Sequence, residues 1–194
     1  MSEPETSAIV LAGGRSRRFG RDKLVEEIRG RTLLEHALAA VAPIAQETIV
    51  VAAPDEPRSV PEGVILVRDP SSFEGPLVGL LTGLGEARHA TTIVVGGDMP
   101  TMVPAVLGAL IDRLSDPTID AVVLESLGQR QPLPVALRTA PALIAATRLV
   151  AEGERRLGAL IESLANAFID ERTWRELDPD GRTLRDVDTP ADLG

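Results

Sequence analysis

The sequence predicts an α/β fold in three layers, a mostly parallel sheet with helices on both faces. Three observations carry this expectation. Short apolar, β-branched runs recur along the chain and alternate with longer stretches at helical spacing. The runs are continuously apolar, as strands buried on both faces are. Hydrophobic residues make up 44% and charged residues 25% of 194 positions, an ordinary globular balance in a chain long enough to bury a core. A single domain spanning residues 1–194 is expected.

The elements follow in order. Residues 8–11 (AIVL) read as a first buried strand and 13–20 as a loop. The stretch 31–41 sets Leu33, Leu34, Ala37, Leu38 and Val41 at helical spacing. Thr32 is its N-cap, and Glu35 three residues on completes a capping box. Residues 47–52 form a second strand and 64–67 a third; 76–87 read as a glycine-rich helix. The fourth strand, 92–95, runs into Gly96-Gly97-Asp98. A helix over 103–114, a fifth strand over 119–124 and a sixth over 133–137, with an antiparallel course open to it, come next. Residues 140–150 and 156–164 are helical, 166–188 are weakly patterned, and 189–193 make at most one helical turn.

Composition removes several function classes. Lys and Arg number 20 against 29 Asp and Glu, a net charge of −9. That balance disfavours duplex nucleic acid and anionic membranes. Aromatic residues make up 2%, too few for a base-stacking platform. The absence of cysteine excludes disulfides and thiolate chemistry, and two histidines, His36 and His89, cannot build a poly-histidine metal site. Both are expected in structural roles, and Trp174 as a packing residue. No stretch approaches the roughly 20 apolar residues of a membrane span, and MSEPETS lacks a leader pattern. A cytoplasmic protein that binds neither nucleic acid nor membrane is the expectation.

In such sheets ligands bind at the carboxyl ends of the strands. Two polar clusters fall there, residues 13–23 and 96–100. The first contains Arg15, Arg17, Arg18, Arg21 and Lys23; with Asp22, residues 15–23 carry +4, against −13 for the rest. Backbone N–H groups freed by glycines and guanidinium forks together match phosphate oxygens, and a triphosphate is the natural ligand. A solvated basic loop is the plain alternative, disfavoured by its position after the first buried strand. Five residues separate Gly14 from Gly20 and Arg21 follows, so this is not a P-loop; the adjacent Gly13-Gly14 also breaks the dinucleotide fingerprint.

Residues 11–23, LAGGRSRRFGRDK, resemble the L-A-G-G-x-S-x-R-[MF]-G-x-D-K signature of nucleotidyltransferases related to molybdenum cofactor guanylyltransferase. The resemblance runs from residue 7 to 193 and implies a Rossmann-like nucleotidyltransferase fold of the nucleotide-diphospho-sugar transferase type. It implies that the backbone of Leu11, Ala12 and Gly13 holds the nucleoside; Gly14 is a further nucleotide-binding candidate, and Arg15 and Arg17, at positions variable in the family, assist with the nucleotide or are simply solvated. Arg18 and Lys23 would bind the phosphates.

Asp98 stands just past the fourth strand. A hard carboxylate there suits Mg²⁺ bridging phosphate oxygens, and a turn or helix-cap role is its plain alternative. The glycines before it would leave room for a ligand. The segment is similar to the family's strand–x-D-x-P motif, whose Asp binds Mg²⁺. Asp69, Gly75, Pro76 and Gly79 resemble the family's D-x(5–7)-G-P-L-x-G segment and would contact the nucleoside; packing of Gly79 and Gly83 against a strand is the alternative. DVDTPADL at 186–193 resembles the family's N-[IV]-[ND]-T-P-E-D-L ending, which places Asp188 at the active site as a second candidate metal ligand. Glu154-Arg155-Arg156 resembles an acceptor-side G-[DE]-R-[KR] segment.

The resemblance implies Mg²⁺-dependent transfer of GMP from GTP to the phosphate of molybdopterin, a phosphorylated pterin, with release of pyrophosphate. Arg18, Lys23 and Asp98 would be the catalytic residues. Departures keep alternatives open. Gln131 and Ala136 replace a His and a Gly of the family's acceptor strand, and Ala52-Ala53 stand where an Asn often follows the second strand. Asp188 in place of Asn leans toward CTP as donor, whereas Gly13-Gly14 leans toward GTP. A cytidylyltransferase, another phosphorylated acceptor, and a non-enzymatic nucleotide-binding protein are the competing readings.

Overall fold

The computed structural model describes residues 5–13, 22–55, 57–69 and 75–193. Its elements run β1 (Thr6–Leu11), β2 (Glu27–Ile28), β3 (Arg31–Thr32), α1 (Leu33–Val41), β4 (Glu47–Ala52) and β5 (Val64–Arg68). There follow α2 (Pro76–Glu86), β6 (Thr91–Gly96), α3 (Pro104–Arg113), β7 (Ala121–Ser126), β8 (Gln129–Arg138) and α4 (Thr139–Ala151). The chain closes with α5 (Leu157–Ser163), β9 (Asn166–Ile169), α6 (Glu171–Trp174) and two 3₁₀ turns, Arg182–Leu184 and Pro190–Leu193.

Seven strands form one sheet in the order β5-β4-β1-β6-β8-β7-β9. Six share one direction; β8 runs antiparallel to both β6 and β7. The apolar runs become strands because both faces are covered. Along β1, Ala8 and Val10 pack under α1 and α3, while Ile9 packs under α2. The same alternation recurs in β4, where Val50 faces one layer and Ile49 and Val51 the other. Helices α1, α3 and α6 thus form one layer and α2, α4 and α5 the other. Among the described residues no helix is long and apolar enough to cross a membrane.

Local signals explain the boundaries. The Thr32 side chain accepts from the Glu35 N–H at 3.2 Å, and Glu35 Oε2 accepts from the Thr32 N–H at 2.7 Å, closing the capping box of α1. Two short hairpins escape periodicity analysis. β2 and β3 are joined by Arg29-Gly30, and β7 and β8 by Leu127-Gly128. All four linking residues have positive φ, between 52° and 76°, the handedness that a two-residue hairpin loop requires. Strand β8 is correspondingly longer than its apolar core of residues 133–137.

The region 166–188 is weakly patterned because polar bonds hold it more than apolar contacts do. Apolar anchors remain: Val187 is 3% exposed and Trp174 1%, and the Trp174 indole N–H donates to the Glu125 carbonyl at 2.8 Å. Beyond it, the buried Asp178 carboxylate accepts from the Thr183 N–H at 2.7 Å. Thr183 Oγ1 accepts from the Val103 N–H at 3.1 Å, and Thr101 Oγ1 donates to the Arg182 carbonyl at 2.8 Å. This chain of bonds pins the C-terminal segment onto the loop that follows β6.

Two stability predictions follow from these contacts. A Cβ at Gly83 would lie 2.9 Å from Ile9 Cγ2 and 3.0 Å from Val51 Cγ2, so α2 rests directly on β1 and β4 there. Gly83→Ala should destabilise the fold by about 1–3 kcal/mol, read as a lower chemical-denaturation midpoint. Burial opposes ionisation of Asp178, but the bonds from Thr183 and Arg182 outweigh it and hold its pKa below the usual carboxylate value. Its stabilising effect is therefore complete above the unfolded value of about 3.9 and is lost as pH falls through the lower folded value. Asp178→Ala should lower Tm at pH 7, and its gap to the wild type should narrow as the pH is taken below about 4.

Candidate active site

The chain leaves β1 toward β4 on one side, and leaves β6 toward β8 and β7 on the other. The crevice at the carboxyl ends of β1 and β6 is therefore the topological switch point of the sheet. The Gly97 N–H donates to the Leu11 carbonyl at 3.0 Å, and the Ala12 N–H to the Val51 carbonyl at 2.8 Å. Leu11, Ala12 and Gly13 thus cross the strand ends as an extension of the sheet. A Cβ on Gly13 would stand 3.3 Å from the Ala53 nitrogen, which is why a glycine fits that crossing.

Asp98 lies in the turn after β6, with its side chain 29% exposed. A Cβ on Gly96 would fall 2.5 Å from Asp98 Oδ1. The bare glycine therefore makes room for the carboxylate itself. Gly97 is closed off by Leu24 and the Leu11 carbonyl, whose nearest atoms would stand 3.1 and 3.3 Å from a Cβ there. The expectation that these glycines clear space for a ligand is corrected on both counts: protein atoms fill the space.

Lys23 reaches this carboxylate from the opposite wall. Its Nζ lies 2.7 Å from Asp98 Oδ2, donates to the Val187 carbonyl at 2.8 Å, and lies 3.4 Å from Asp188 Oδ1. Burial disfavours the charged amine, but the bonds and charges of Asp98 and Asp188 outweigh it and raise the Lys23 pKa. Lys23 opens a short 3₁₀ turn, Lys23–Val25, whose N-cap Asp22 accepts from the Leu24 N–H at 3.0 Å. Asp22 is held in turn by Arg58, whose Nη2 donates to it at 2.8 Å. The C-terminal segment arrives through the Val187 N–H, which donates to the Asp98 carbonyl at 2.9 Å. Asp192 Oδ2 accepts from the N–H groups of Asp188 and Thr189 at 3.1 and 2.7 Å, fixing that turn. Nearby, partial burial and the carboxylates of Asp188 and Asp98 push the Asp186 pKa up, a sign of crowded negative charge.

The other sequence-predicted residues gather on the far side of Leu11. The Asp69 N–H donates to the Ala52 carbonyl at 2.9 Å. A Cβ on Gly79 would lie 3.5 Å from Asp69 Oδ2 and 3.8 Å from Leu11 Cδ2, so these three meet. Gly75 has φ 110°, and a Cβ there would meet the Arg155 backbone oxygen at 3.0 Å. Pro76 opens α2 in the first turn, and the Leu77 N–H donates to the Arg155 carbonyl at 3.1 Å. The 154–156 loop therefore buttresses the start of α2. Glu154 ties that loop through the Arg155 and Arg156 N–H groups at 2.8 and 3.0 Å; with the Arg156 guanidinium, these bonds hold its pKa near 2. Gly14, Arg15, Arg17, Arg18 and Arg21 lie outside the described residues.

Leu11, Gly13, Lys23 and Asp98 border a cavity of about 60 Å³ at the strand ends. A cleft of about 1120 Å³, bordered by Arg29, Thr101, Arg185, Asp186 and Val187, adjoins the same C-terminal segment. Among the described residues no cluster of three His, Cys, Asp or Glu side chains forms a protein-only metal cage. Mg²⁺ does not require one: one or two carboxylates with substrate phosphates and water suffice. Asp98 and Asp188, whose hard oxygens already converge on a cation, fit that donor set. Asp22, Arg58 and the Val187 carbonyl were missed as site residues. Asp22 stands inside the 11–23 motif, whereas a backbone carbonyl has no sequence signal.

Comparisons with known proteins identify the family and the fold. The family description "MobA-like NTP transferase domain" matches residues 8–167. A probable molybdenum cofactor guanylyltransferase of Chloroflexus aggregans is 38% identical over 96% of this chain and 91% of its own. A molybdenum cofactor guanylyltransferase of Desulfosudis oleivorans is 30% identical over 96% and 92%. Among solved structures, molybdopterin-guanine dinucleotide biosynthesis protein A of Archaeoglobus fulgidus superposes with a TM-score of 0.81 at 23% identity, covering 96% of this chain and 94% of that one. The 2-C-methyl-D-erythritol 4-phosphate cytidylyltransferase of Thermus thermophilus gives 0.74 at 18%, covering 97% and 95%, and shares the fold. This chain belongs to the MobA-like NTP transferase family and is a nucleotidyltransferase.

Proposed function

We propose that the chain transfers the GMP group of GTP to the phosphate of molybdopterin and releases pyrophosphate. The observation that carries this reading is the Lys23 ammonium clasped between Asp98 and Asp188 at the switch point, within a family whose relatives bear the guanylyltransferase name. In the reaction an acceptor phosphate oxygen bonds to the α-phosphorus and the bond to the β-phosphate bridging oxygen breaks. That nucleophile is already ionised at neutral pH, so the site needs no strong general base. Positioning and charge stabilisation carry the catalysis.

Each residue has a part in this reading. The backbone of Leu11, Ala12 and Gly13 lines the nucleoside, with Asp69, Gly75, Pro76 and Gly79 forming the wall at the start of α2; Gly14 joins them by its place in the motif. Lys23, with Arg18 and Arg15, binds the triphosphate. Asp98 and Asp188 hold Mg²⁺, which when bound supplies Lewis-acid stabilisation of phosphate charge. The Glu154–Arg156 loop, by buttressing α2, sits between the nucleoside wall and the acceptor side. A cytoplasmic location accords with a nucleotide-dependent synthesis.

The test is an end-point reaction with molybdopterin, Mg²⁺ and each of the four NTPs, with the product identified by mass. The molybdopterin guanine dinucleotide is expected from GTP; a product formed from CTP alone, or none from any NTP, overturns the assignment. Asp98→Ala should lower kcat/KM by about two to three orders of magnitude, as loss of a charge-stabilising group does. Gly96→Ala, whose Cβ would displace the Asp98 carboxylate, should lower kcat with little change in KM for GTP. Wild-type turnover by Asp98→Ala at saturating Mg²⁺ would remove Asp98 from its role.

A further inference from the structure

Lys23 is the only lysine among the 20 basic residues of the chain; the other 19 are arginine. A chain that uses arginine at every other basic position keeps an ammonium at this one. The two cations differ in ways that matter here. A guanidinium is a planar fork that locks onto a carboxylate, whereas an ammonium is a compact charge with three rotatable donors on a flexible stem. Among the described residues, Asp98 Oδ2, the Val187 carbonyl and Asp188 Oδ1 lie within reach of Nζ to meet those donors. Its side chain is 15% exposed, against 29% for Asp98 and 49% for Asp188, so the ammonium is the most sheltered member of the clasp.

We infer that Lys23 keeps the Asp98–Asp188 pair closed to a divalent ion until a polyphosphate draws the ammonium away, so that metal enters with the nucleotide and not ahead of it. The inference rests on the proposed nucleotide site and adds an order of events to it. The carboxylates that suit a metal ion are the ones the ammonium occupies. A metal arriving alone must displace the ammonium from the two carboxylates it touches, leaving it only the longer-range charges of Asp186 and Asp192, and a half-buried cation that loses its contact partners is costly. A polyphosphate changes that balance by offering the ammonium new oxygens. Lys23 then exchanges carboxylates for phosphates, and the carboxylates exchange an ammonium for a divalent ion. Charge stays matched throughout, and the apparent metal affinity without nucleotide is scaled down by the small fraction of time the pair stands open.

Two measurements test this. The first is Mn²⁺ binding without nucleotide, read by loss of the free-ion EPR signal, for the wild type, Lys23→Met, Lys23→Arg and Lys23→Met/Asp98→Asn. Lys23→Met should bind Mn²⁺ at least about tenfold more tightly than the wild type, as removal of a cation within contact distance implies. Lys23→Arg should remain weak, and the double variant should lose the gain. A folded Lys23→Met no tighter than the wild type overturns the inference.

The second measurement needs no variant and stands if Lys23→Met fails to fold. Protein labelled only with [¹³C,¹⁵N]lysine should give one lysine side-chain signal. Millimolar Mg²⁺ alone should leave it in place, and Mg²⁺ with a non-hydrolysable GTP analogue should move it. Movement with Mg²⁺ alone overturns the order of entry and leaves the nucleotide site standing. A signal unmoved by Mg²⁺ and analogue together overturns both.

Discussion

The ammonium of Lys23 joins three stretches of chain that sequence keeps far apart. Asp98 follows the fourth strand of the parallel core, Lys23 closes the loop after the first, and Val187 and Asp188 belong to the returning C-terminal segment. Two carboxylates and a carbonyl around one cation are a stable arrangement only when all are present, because losing the cation leaves like charges facing each other in a partly dry site. Its raised pKa keeps the ammonium charged well beyond neutral pH. The C-terminal segment must therefore cross the mouth of the sheet for the site to be complete. The bonds from Asp178 through Thr183 to Val103, and from Thr101 to Arg182, bring it there.

Glycine has different purposes on the two sides of this centre. Beside Asp98, Gly96 gives space to a carboxylate of the protein itself, and Gly97 lies against Leu24 and Leu11. At the start of α2, Gly75 lets the Arg155 backbone approach, and near its end Gly83 lets the helix settle on β1 and β4. Much of what reads as a glycine-rich ligand surface is thus internal packing. Gly13 shares this character in its crossing over Ala53. These close approaches make the strand ends rigid, and rigidity of the supporting backbone is what positioning catalysis demands.

The sheet was legible in the sequence wherever burial on two faces writes a continuous apolar run. The strand over residues 47–52 and the capping box at Thr32 and Glu35 appear as expected. The hairpin of β2 and β3 was not legible, because two-residue strands have no period to detect. Strand β9 and α6 were hidden by their polar surroundings; Asn166, Asp170 and Glu171 are set by hydrogen bonds more than by an apolar stripe. In the site, the strand-end rule already set the clusters of Lys23 and Asp98 side by side, whereas Asp188 was legible only through the motif resemblance, since spacing alone does not join residues 90 positions apart. Asp22 and Arg58 were not singled out, because a carboxylate that caps a turn and pairs with a distant arginine looks like any surface acid.

The solitary lysine also gives the molecule an unusual chemical address. The sequence offers amine-directed acylation or reductive alkylation only this side chain and the α-amino group, and the carboxylates that hold the ammonium charged make the side chain the slower of the two. An aldehyde-bearing nucleotide would thus be captured at the mouth of the crevice or at the chain terminus, and a single tryptic-scale peptide map would tell which.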